Sequence, residues 1–286
     1  MTGGVILTLT PDVNLSIVFT ELPLLQRPAA VAACGFVAAE LWWPFHESVP
    51  KQWQLCALAD ALENASVRLV SLTFAAGDMA AGDRGLVSLP GQENRLRENI
   101  EVAIAFAQPL GCRAFNALYG NRLESADPGA QDERAIENLS YAATAAQRIG
   151  GEVLIETQNT TDSPCYPLTR AAEAVAVIER LERASSASNV KLLFDLDHLH
   201  RMGENLPVMV RLFAERIGHV QIADDPGRHQ PGTGDINFGP ALAALSPAGY
   251  QGCLGLEYRP LGPSAESFGW LSLDPWDEIV SRQGSR

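Results

Sequence analysis

The strongest constraint on the fold is an alternation of short apolar runs with longer segments of helical periodicity. Eight runs rich in Val, Ile, Leu and Phe can be counted, with amphipathic segments between them. Such repetition is typical of strand–helix units on a parallel sheet. Eight units in 286 residues fit one closed barrel, which typically needs about 250 residues. The predicted strands are 13–19, 38–42, 68–74, 114–119, 152–156, 191–195, 219–222 and 253–258.

These units predict an α/β fold, a single (β/α)8 TIM barrel that spans residues 1–286 as one domain, with 274–286 as a flexible C-terminal tail. Residues 75–91 and 223–239 are too long to be simple connectors, and each follows a strand. We therefore expect both on the C-terminal face of the barrel, where barrel enzymes place their active sites. Apolar residues at three- and four-residue spacing predict outer helices over 52–64, 93–107, 133–148 and 169–183.

Charge and cysteine usage exclude several classes of function. The formal net charge is −13, from 34 acidic and 21 basic side chains, and no Lys/Arg cluster could hold a nucleic-acid backbone. No apolar run reaches the roughly 18–20 residues that span a bilayer, and the N-terminus lacks a basic segment before an apolar stretch. The five cysteines are scattered and form no Cys-x-x-Cys pair, which argues against a disulfide framework or a zinc knuckle. We expect a cytoplasmic protein that binds neither nucleic acid nor membrane.

Oxygen-bearing side chains stand at the ends of four consecutive predicted strands, the fifth to the eighth. Glu156, Asp195 and Glu257 each close an apolar run, and Gln221 lies within Val220-Gln221-Ile222. Three carboxylates that converge on one rim repel one another unless they are protonated or neutralised by a cation. A divalent ion bound by these four side chains resolves the conflict. Because the ligands are all oxygen, Mg²⁺ or Mn²⁺ is favoured over Zn²⁺.

Each position has a plainer interpretation when it is taken alone. An Asp or Glu after a strand is commonly a helix N-cap or a turn residue, although four on consecutive strands are harder to explain in this way. His198 follows Asp195 by three residues and could polarise a substrate oxygen, or it could be a surface imidazole at the start of a helix. Glu40, which precedes two tryptophans, could line the same rim or be structural. Asp197 and His200 are weaker candidates.

Several segments resemble the hydroxypyruvate isomerase family, and through it the wider group of sugar-isomerase-like barrels related to xylose isomerase and tagatose 3-epimerase. The resemblance covers nearly the whole chain. Its most specific motifs are the Ala-Gly-Asp-x-Ala-Ala-Gly and Pro-Gly-Thr-Gly-x-Ile-Asn runs. The segments that carry it are Asn14-Leu15-Ser16, 76–85, 219–224, 231–237 and 256–260.

The resemblance implies roles for individual residues. It implies that the divalent ion is ligated by Glu156, Asp195, Gln221 and Glu257. It also implies that Glu156 and Glu257 are the acid–base pair and that His198 and Arg228 contact substrate oxygens. Arg228, in the long loop after the seventh strand, would pair with a substrate carboxylate through its planar guanidinium, although a surface arginine is the plainer alternative.

The chain departs from the family at positions that contact the substrate. Relatives tend to carry Glu-Pro-Ile-Asn-His at residues 156–160, where this chain has Glu-Thr-Gln-Asn-Thr. A Gly-Phe-His segment is replaced by Cys165-Tyr166-Pro167, the usual His-Asn of the third strand is Leu72-Thr73, and a tyrosine of the sixth unit is Asp197. The metal-ligating and acid–base positions are retained, so these changes bear on the identity of the substrate.

The predicted reaction is the metal-assisted isomerisation of a short hydroxy-carbonyl acid, of the hydroxypyruvate and tartronate semialdehyde type. Glu156 or Glu257 removes a proton to give an enediolate, and the other carboxylate returns a proton to the neighbouring carbon. A 2-oxo-tetronate isomerase or a ketose 3-epimerase with the same metal site is the alternative, and a non-catalytic metabolite-binding barrel is a further one. A DNA-repair nuclease is disfavoured by the acidity and by the five histidines, too few for a multi-zinc site. The family resemblance makes a homodimer or homotetramer the expected assembly.

Overall fold

Eight parallel strands close into a barrel in this computed structural model, which describes residues 9–185 and 187–272. Each strand pairs with the next along the chain, and β1 pairs with β8 to complete the circle. The predicted (β/α)8 TIM barrel is confirmed, whereas the predicted tail over 274–286 lies outside the described residues. The strands are β1 (Thr10–Asn14), β2 (Ala38–Trp42), β3 (Arg68–Thr73), β4 (Ala114–Asn116), β5 (Glu152–Glu156), β6 (Val190–Asp195), β7 (Ile217–Ile222) and β8 (Cys253–Leu256).

Helices cover the outside of the barrel. Their apolar faces pack inward, as in the fifth helix, which buries Ala174, Ile178 and Leu181 while Glu173 and Arg183 stay exposed. The second and third helices have the predicted bounds. The fourth begins earlier than predicted because Asp127 caps it by accepting a hydrogen bond from the amide of Ala130. The helices are α1 (Arg27–Ala33), α2 (Gln52–Asn64), α3 (Glu93–Ala107), α4 (Pro128–Gln147), α5 (Ala171–Ser185), α6 (Leu196–Arg201), α7 (Leu206–Phe213) and α8 (Gly239–Leu245).

The first strand differs most from the sequence-based prediction. The apolar run 13–19 predicts a strand, but β1 ends at Asn14, and the amide of Val18 donates to the Asn14 carbonyl at 2.9 Å. Leu15, Val18 and Phe19 are buried within the turn that follows, and Phe19 has a φ of 58°. The predicted bounds were wrong because apolar residues in this segment mark a buried loop over the barrel rim.

Both predicted long loops lie at the C-terminal ends of strands. Residues 74–92 connect β3 to α3, and residues 223–238 connect β7 to α8. They therefore lie on the face where strand-end side chains converge. Within residues 9–185 and 187–272, no helix is both long and apolar enough to cross a bilayer.

Candidate active site

Polar side chains from β5 to β8 meet at the C-terminal rim of the barrel. Glu156 and Asp195 are the last residues of β5 and β6, Gln221 pairs with Asp195 across the sheet, and Glu257 directly follows β8. All four are buried, with at most 4% of each residue exposed. The strand register thus brings together the four residues that the sequence predicts as metal ligands.

A cavity of about 320 Å³ opens at this rim. Its lining includes Glu156, His198, Arg228 and Glu257. The volume lies at the low end of the range of about 300–1,000 Å³ that is usual for ligand pockets. The cavity therefore suits a small metabolite.

Glu156 is held by two amide side chains. Its Oε2 accepts from Asn116 Nδ2 at 2.6 Å, and its Oε1 accepts from Gln158 Nε2 at 2.6 Å. Burial raises the pKa of Glu156 to about 8, and the negative charge of Asp195 acts in the same direction. Glu156 can therefore hold a proton near neutral pH, as a group that exchanges protons with a substrate requires.

His198 is fixed in one tautomer by Asn159. The Oδ1 atom of Asn159 accepts from the amides of Thr161 and Asp162, so its Nδ2 is the atom that faces His198 Nδ1, at 2.8 Å. Nδ1 must then accept. Burial, supported by the charge of Arg228, lowers the pKa of His198 to about 3, so the ring is neutral and its proton lies on Nε2. Nε2 lies at the cavity, 3.6 Å from Glu156 Oε1 and 3.3 Å from Arg228 Nη1.

Arg228 places its guanidinium among three buried carboxylates. Its Nη2 donates to Asp195 Oδ2 at 2.8 Å and to Glu257 Oε1 at 2.9 Å, and its Nη1 donates to Asp197 Oδ2 at 2.8 Å. Burial alone would raise the pKa of Asp195, but the charge of Arg228, together with the hydrogen bonds from Arg228 and from the backbone amide of His198, outweighs it and lowers that pKa to about 2. Burial raises the pKa of Asp197 to about 7 in spite of the arginine. The guanidinium therefore neutralises part of the rim.

Glu257 and Glu40 are linked by shared amide donors. Asn14 Nδ2 donates to Glu40 Oε1 at 3.0 Å and to Glu257 Oε2 at 2.9 Å. Gln221 Nε2 also donates to both carboxylates. Burial raises the pKa of Glu257 well above its ordinary value, and the charge of Arg228 opposes this rise. Glu257 is thus a second carboxyl at the rim that can carry a proton.

A further charged cluster lies deeper in the barrel, beneath this network. His219 Nε2 is 2.8 Å from Glu40 Oε2 and 4.0 Å from Asp12 Oδ2. Burial would lower the pKa of His219, but the hydrogen bond with Glu40 and the charge of Asp12 raise it to about 9. Neither carboxylate oxygen of Asp12 has a hydrogen-bond partner among the described residues, and burial raises its pKa well above the ordinary value. The imidazolium of His219 therefore supports Glu40 from below.

The loop that carries Arg228 is organised by the buried carboxylate of Asp224. Its Oδ2 accepts from the amides of Gly232, Thr233 and Gly234 at 2.8–3.1 Å. Its Oδ1 accepts from two further loop amides, at residues 225 and 236. A Cβ on Gly234 would lie 2.1 Å from the carbonyl oxygen of residue 225, so this position requires glycine. The loop is thereby shaped to deliver Arg228, which has a φ of 55°, into the cavity.

The side chains at the rim include groups that could hold a metal ion. Ligand atoms of Glu156, Asp195 and His198 all lie within 4.8 Å of one another. Asp195 and Glu257 already share one positive nitrogen, Arg228 Nη2. The Oε1 atom of Gln221 is buried and has no hydrogen-bond partner among the described residues. An unused carboxamide oxygen beside carboxylates is a group that could hold a metal ion.

The sequence-based prediction therefore chose residues that the fold gathers, but it missed the amides that hold them. Asn14 and Asn116 end β1 and β4, so a rule that counts every polar residue at a strand end would have found both. Asp197, a weaker candidate in the sequence, is fully buried and contacts Arg228. The residues that were not assigned a role are Asn14, Asn116, Gln158, Asn159 and His219.

The chain matches the family described as xylose isomerase-like TIM barrel over residues 28–273. It is 54% identical over 263 residues to a Streptomyces coelicolor protein provisionally named hydroxypyruvate isomerase, with 91% of this chain and 94% of that protein covered. It is 32% identical over 263 residues to a hydroxypyruvate isomerase of Escherichia coli, with 92% and 97% covered. A 2-oxo-tetronate isomerase of Cupriavidus necator is 36% identical over 261 residues, with 90% and 95% covered.

Solved structures share the same architecture. The crystal structure of a Brucella melitensis protein described as an AP endonuclease of family 2 superposes with a TM-score of 0.84, at 32% identity, and covers 93% of this chain and 98% of that one. Sequence and structure thus point to one group of barrels.

Proposed function

The chain belongs to the xylose isomerase-like TIM barrel family and is an isomerase, and from this premise we propose that it interconverts hydroxypyruvate and tartronate semialdehyde. The relatives named as hydroxypyruvate isomerases match 90% or more of the chain and include the E. coli protein at 32% identity. The proposal assigns Glu156 and Glu257 as the acid–base pair.

One observation carries the proposal. Glu156 and Glu257 both line the same small cavity, and both are buried with their pKa values raised by that burial. A carboxyl with a raised pKa can donate a proton near neutral pH and, once ionised, can accept one. Two such groups, one at the end of β5 and one directly after β8, provide a donor and an acceptor around one substrate.

The reaction needs two proton transfers at carbon. Starting from hydroxypyruvate, one ionised carboxylate removes a proton from the hydroxymethyl carbon, which leaves an enediolate. The other carboxyl, protonated, donates to the former carbonyl carbon, while the hydroxyl proton moves from one substrate oxygen to the other. His198 presents its Nε2–H to the cavity, where it can donate a hydrogen bond to a substrate oxygen.

We propose that Glu156, Asp195, Gln221 and Glu257 hold Mg²⁺ or Mn²⁺. The bound ion would supply positive charge that polarises the substrate carbonyl. Asn116, Gln158 and Asn14 keep Glu156 and Glu257 in place by donating to their carboxylate oxygens. These hydrogen bonds fix the orientation in which each carboxylate exchanges its proton.

A 2-oxo-tetronate isomerase is the second candidate, because the C. necator relative of that name is 36% identical over 90% of this chain. Parallel incubation with hydroxypyruvate, 2-oxo-tetronates and ketohexoses, each with Mg²⁺ or Mn²⁺, discriminates between the two acids and a ketose 3-epimerase. We expect the highest kcat/KM with hydroxypyruvate. Turnover of none of these substrates would favour a non-catalytic metabolite-binding barrel.

Glu257→Gln tests the acid–base assignment. General acid–base catalysis contributes about 10²–10⁴-fold, so we expect kcat to fall by at least about 100-fold. The matched control is Glu137→Gln, which makes the same change at an exposed glutamate of α4. Both variants should remain folded by circular dichroism. Full activity in folded Glu257→Gln would exclude the assignment.

A further inference from the structure

Arg84, in the loop between β3 and α3, holds a positive charge that no carboxylate balances. Its Nε donates to Ser163 Oγ at 3.0 Å, and its Nη1 donates to the carbonyls of Met79 and Asp83 at 3.0 and 2.7 Å. Its Nη2 donates to the carbonyl of Asp162 at 3.4 Å. Across residues 9–185 and 187–272, no carboxylate oxygen lies within 4.0 Å of this guanidinium. All of its partners are neutral oxygens.

The backbone at Arg84 is fixed as firmly as the side chain. The Arg84 carbonyl accepts from the amide of Gly120 at 2.9 Å, and Gly85 forms a bridge with Tyr119. A Cβ on Gly85 would lie 1.9 Å from the carbonyl oxygen of Leu118, so glycine is required for this close approach. The loop therefore presents the guanidinium in one place and needs little ordering when a ligand binds.

Arg84 faces the cavity that contains the acid–base pair. It lines that cavity together with Glu156, Glu257 and His198. Nη2 carries two hydrogens and donates one of them to a protein acceptor at 3.4 Å, so at least one N–H is available to a ligand. An anchored cation with no anionic partner, at the wall of a small cavity, is an electrostatic site for an anion.

The other arginines at the cavity are less suited to this role. Both terminal nitrogens of Arg228 donate hydrogen bonds to the carboxylates of Asp195, Asp197 and Glu257, so its charge is already balanced by the protein. Arg259 also lines the cavity, but it is exposed, and water screens its charge. We therefore expect Arg84, rather than Arg228, to pair with a substrate carboxylate.

We propose that Arg84 binds the carboxylate of the substrate and so makes the site selective for hydroxy-carbonyl acids over uncharged sugars of the same length. This inference rests on the proposed function for the nature of the substrate. It gives a role to the Ala-Gly-Asp-x-Ala-Ala-Gly segment, which ends directly before Asp83 and Arg84. The substrate carboxylate supplies the negative charge that no described protein carboxylate provides to this arginine.

The test compares Arg84→Gln and Arg84→Lys with the wild type on a charged and an uncharged three-carbon substrate, hydroxypyruvate and dihydroxyacetone. A hydrogen bond to a charged group is worth about 1.5–3 kcal/mol, so we expect Arg84→Gln to raise KM for hydroxypyruvate about 10- to 100-fold. KM for dihydroxyacetone should stay within about twofold, and Arg84→Lys should recover part of the loss because it keeps the charge.

Arg95→Gln is the matched control. Arg95 lies in α3, also donates to neutral side-chain oxygens of Ser48 and Gln92, and does not line this cavity. We expect wild-type KM values from this variant. A rise in KM that is equal for the acid and the uncharged sugar would show that Arg84 only supports the loop, and an unchanged KM for the acid would also overturn the proposal.

Calorimetric binding of D-glycerate and of glycerol separates this inference from the proposed function. We expect wild-type protein to bind D-glycerate more tightly than glycerol, and Arg84→Gln to lose that difference. If the wild type isomerises no acid but shows this Arg84-dependent preference, the proposed function falls and the inference stands. If the wild type isomerises hydroxypyruvate but binds glycerate no better than glycerol, the inference falls and the proposed function stands.

Discussion

Replacing Arg228 with glutamine would leave three buried carboxylates without the cation that each of them contacts. The distances from its Nη atoms to Asp195, Asp197 and Glu257 are 2.8, 2.8 and 2.9 Å. The three acidic side chains are at most 5% exposed, so water does not replace the lost charge. Removing one partner of a buried ion pair typically costs 3–5 kcal/mol, and we expect Arg228→Gln to lower the free energy of unfolding by about 3 kcal/mol at pH 8.

The loss should depend on pH. In the wild type, the pKa of Asp195 is lowered to about 2, so its stabilising contribution is fully present above the unfolded value near 4 and disappears as the pH falls towards 2. Without Arg228, burial raises that pKa above the unfolded value, and ionised Asp195 costs stability as the pH rises. The difference in unfolding free energy between variant and wild type should therefore be smaller at pH 5 than at pH 8.

A divalent ion should compensate for the missing guanidinium. An ion present at 100 times its Kd stabilises a folded protein by about 2.7 kcal/mol. Mn²⁺ should stabilise Arg228→Gln more than the wild type, because two expected ligands, Asp195 and Glu257, no longer share their charge with Arg228. The assay is urea denaturation at pH 5 and pH 8, with EDTA or with Mn²⁺.

Arg259→Gln is the control, since Arg259 lines the same cavity but is exposed. It should change the unfolding free energy by less than about 0.5 kcal/mol. The reasoning fails if Arg228→Gln is as stable as the wild type at pH 8, or if Mn²⁺ stabilises the wild type more than the variant.

Two further substitutions probe the network beneath the rim. Asp12→Asn should raise the free energy of unfolding by about 1–3 kcal/mol at pH 8 and by much less at pH 4. Burial raises the pKa of Asp12, so its ionised form costs stability only above the pKa of the unfolded chain. A gain that is equal at both pH values in urea denaturation would contradict this. Gly255→Ala would place a Cβ 2.9 Å from Gln221 Cγ and from His219 Nε2. We expect a loss of about 1–3 kcal/mol and weaker Mn²⁺ binding by calorimetry, whereas Gly269→Ala, where a Cβ meets no atom within 4 Å, should leave both unchanged.

The barrel and its strand-end acids could be predicted because both appear as local patterns in the sequence. Glu156, Asp195 and Glu257 end apolar runs, and the parallel topology then places the ends of neighbouring strands on one rim. The bounds of β1 could not be predicted, since the buried turn that follows Asn14 is as apolar as a strand. Local hydrophobicity indicates only that a segment is buried, and both a core strand and a covered loop are buried.

The partners of the site residues could not be predicted because they come from distant parts of the chain. His219 and Glu40 are 179 positions apart in sequence, and Asn14 and Glu257 are 243 apart. Arg228 could be assigned to the site, but nothing local indicates that its guanidinium contacts Asp195, Asp197 and Glu257. Such contacts depend on the closed sheet, and only the fold brings them into view.

The anchoring of the loop after β7 on Asp224 has a practical consequence for redesign. Since one carboxylate gathers five amides of residues 225–236, the path of the loop is set mainly by a residue at its base and by the glycine at 234. Exposed positions such as Asp235 can therefore be varied in a library to recruit new compounds without rebuilding the segment. By contrast, a substitution at residue 224 would lower catalytic activity indirectly, through the path of the loop, although its side chain lies outside the cavity.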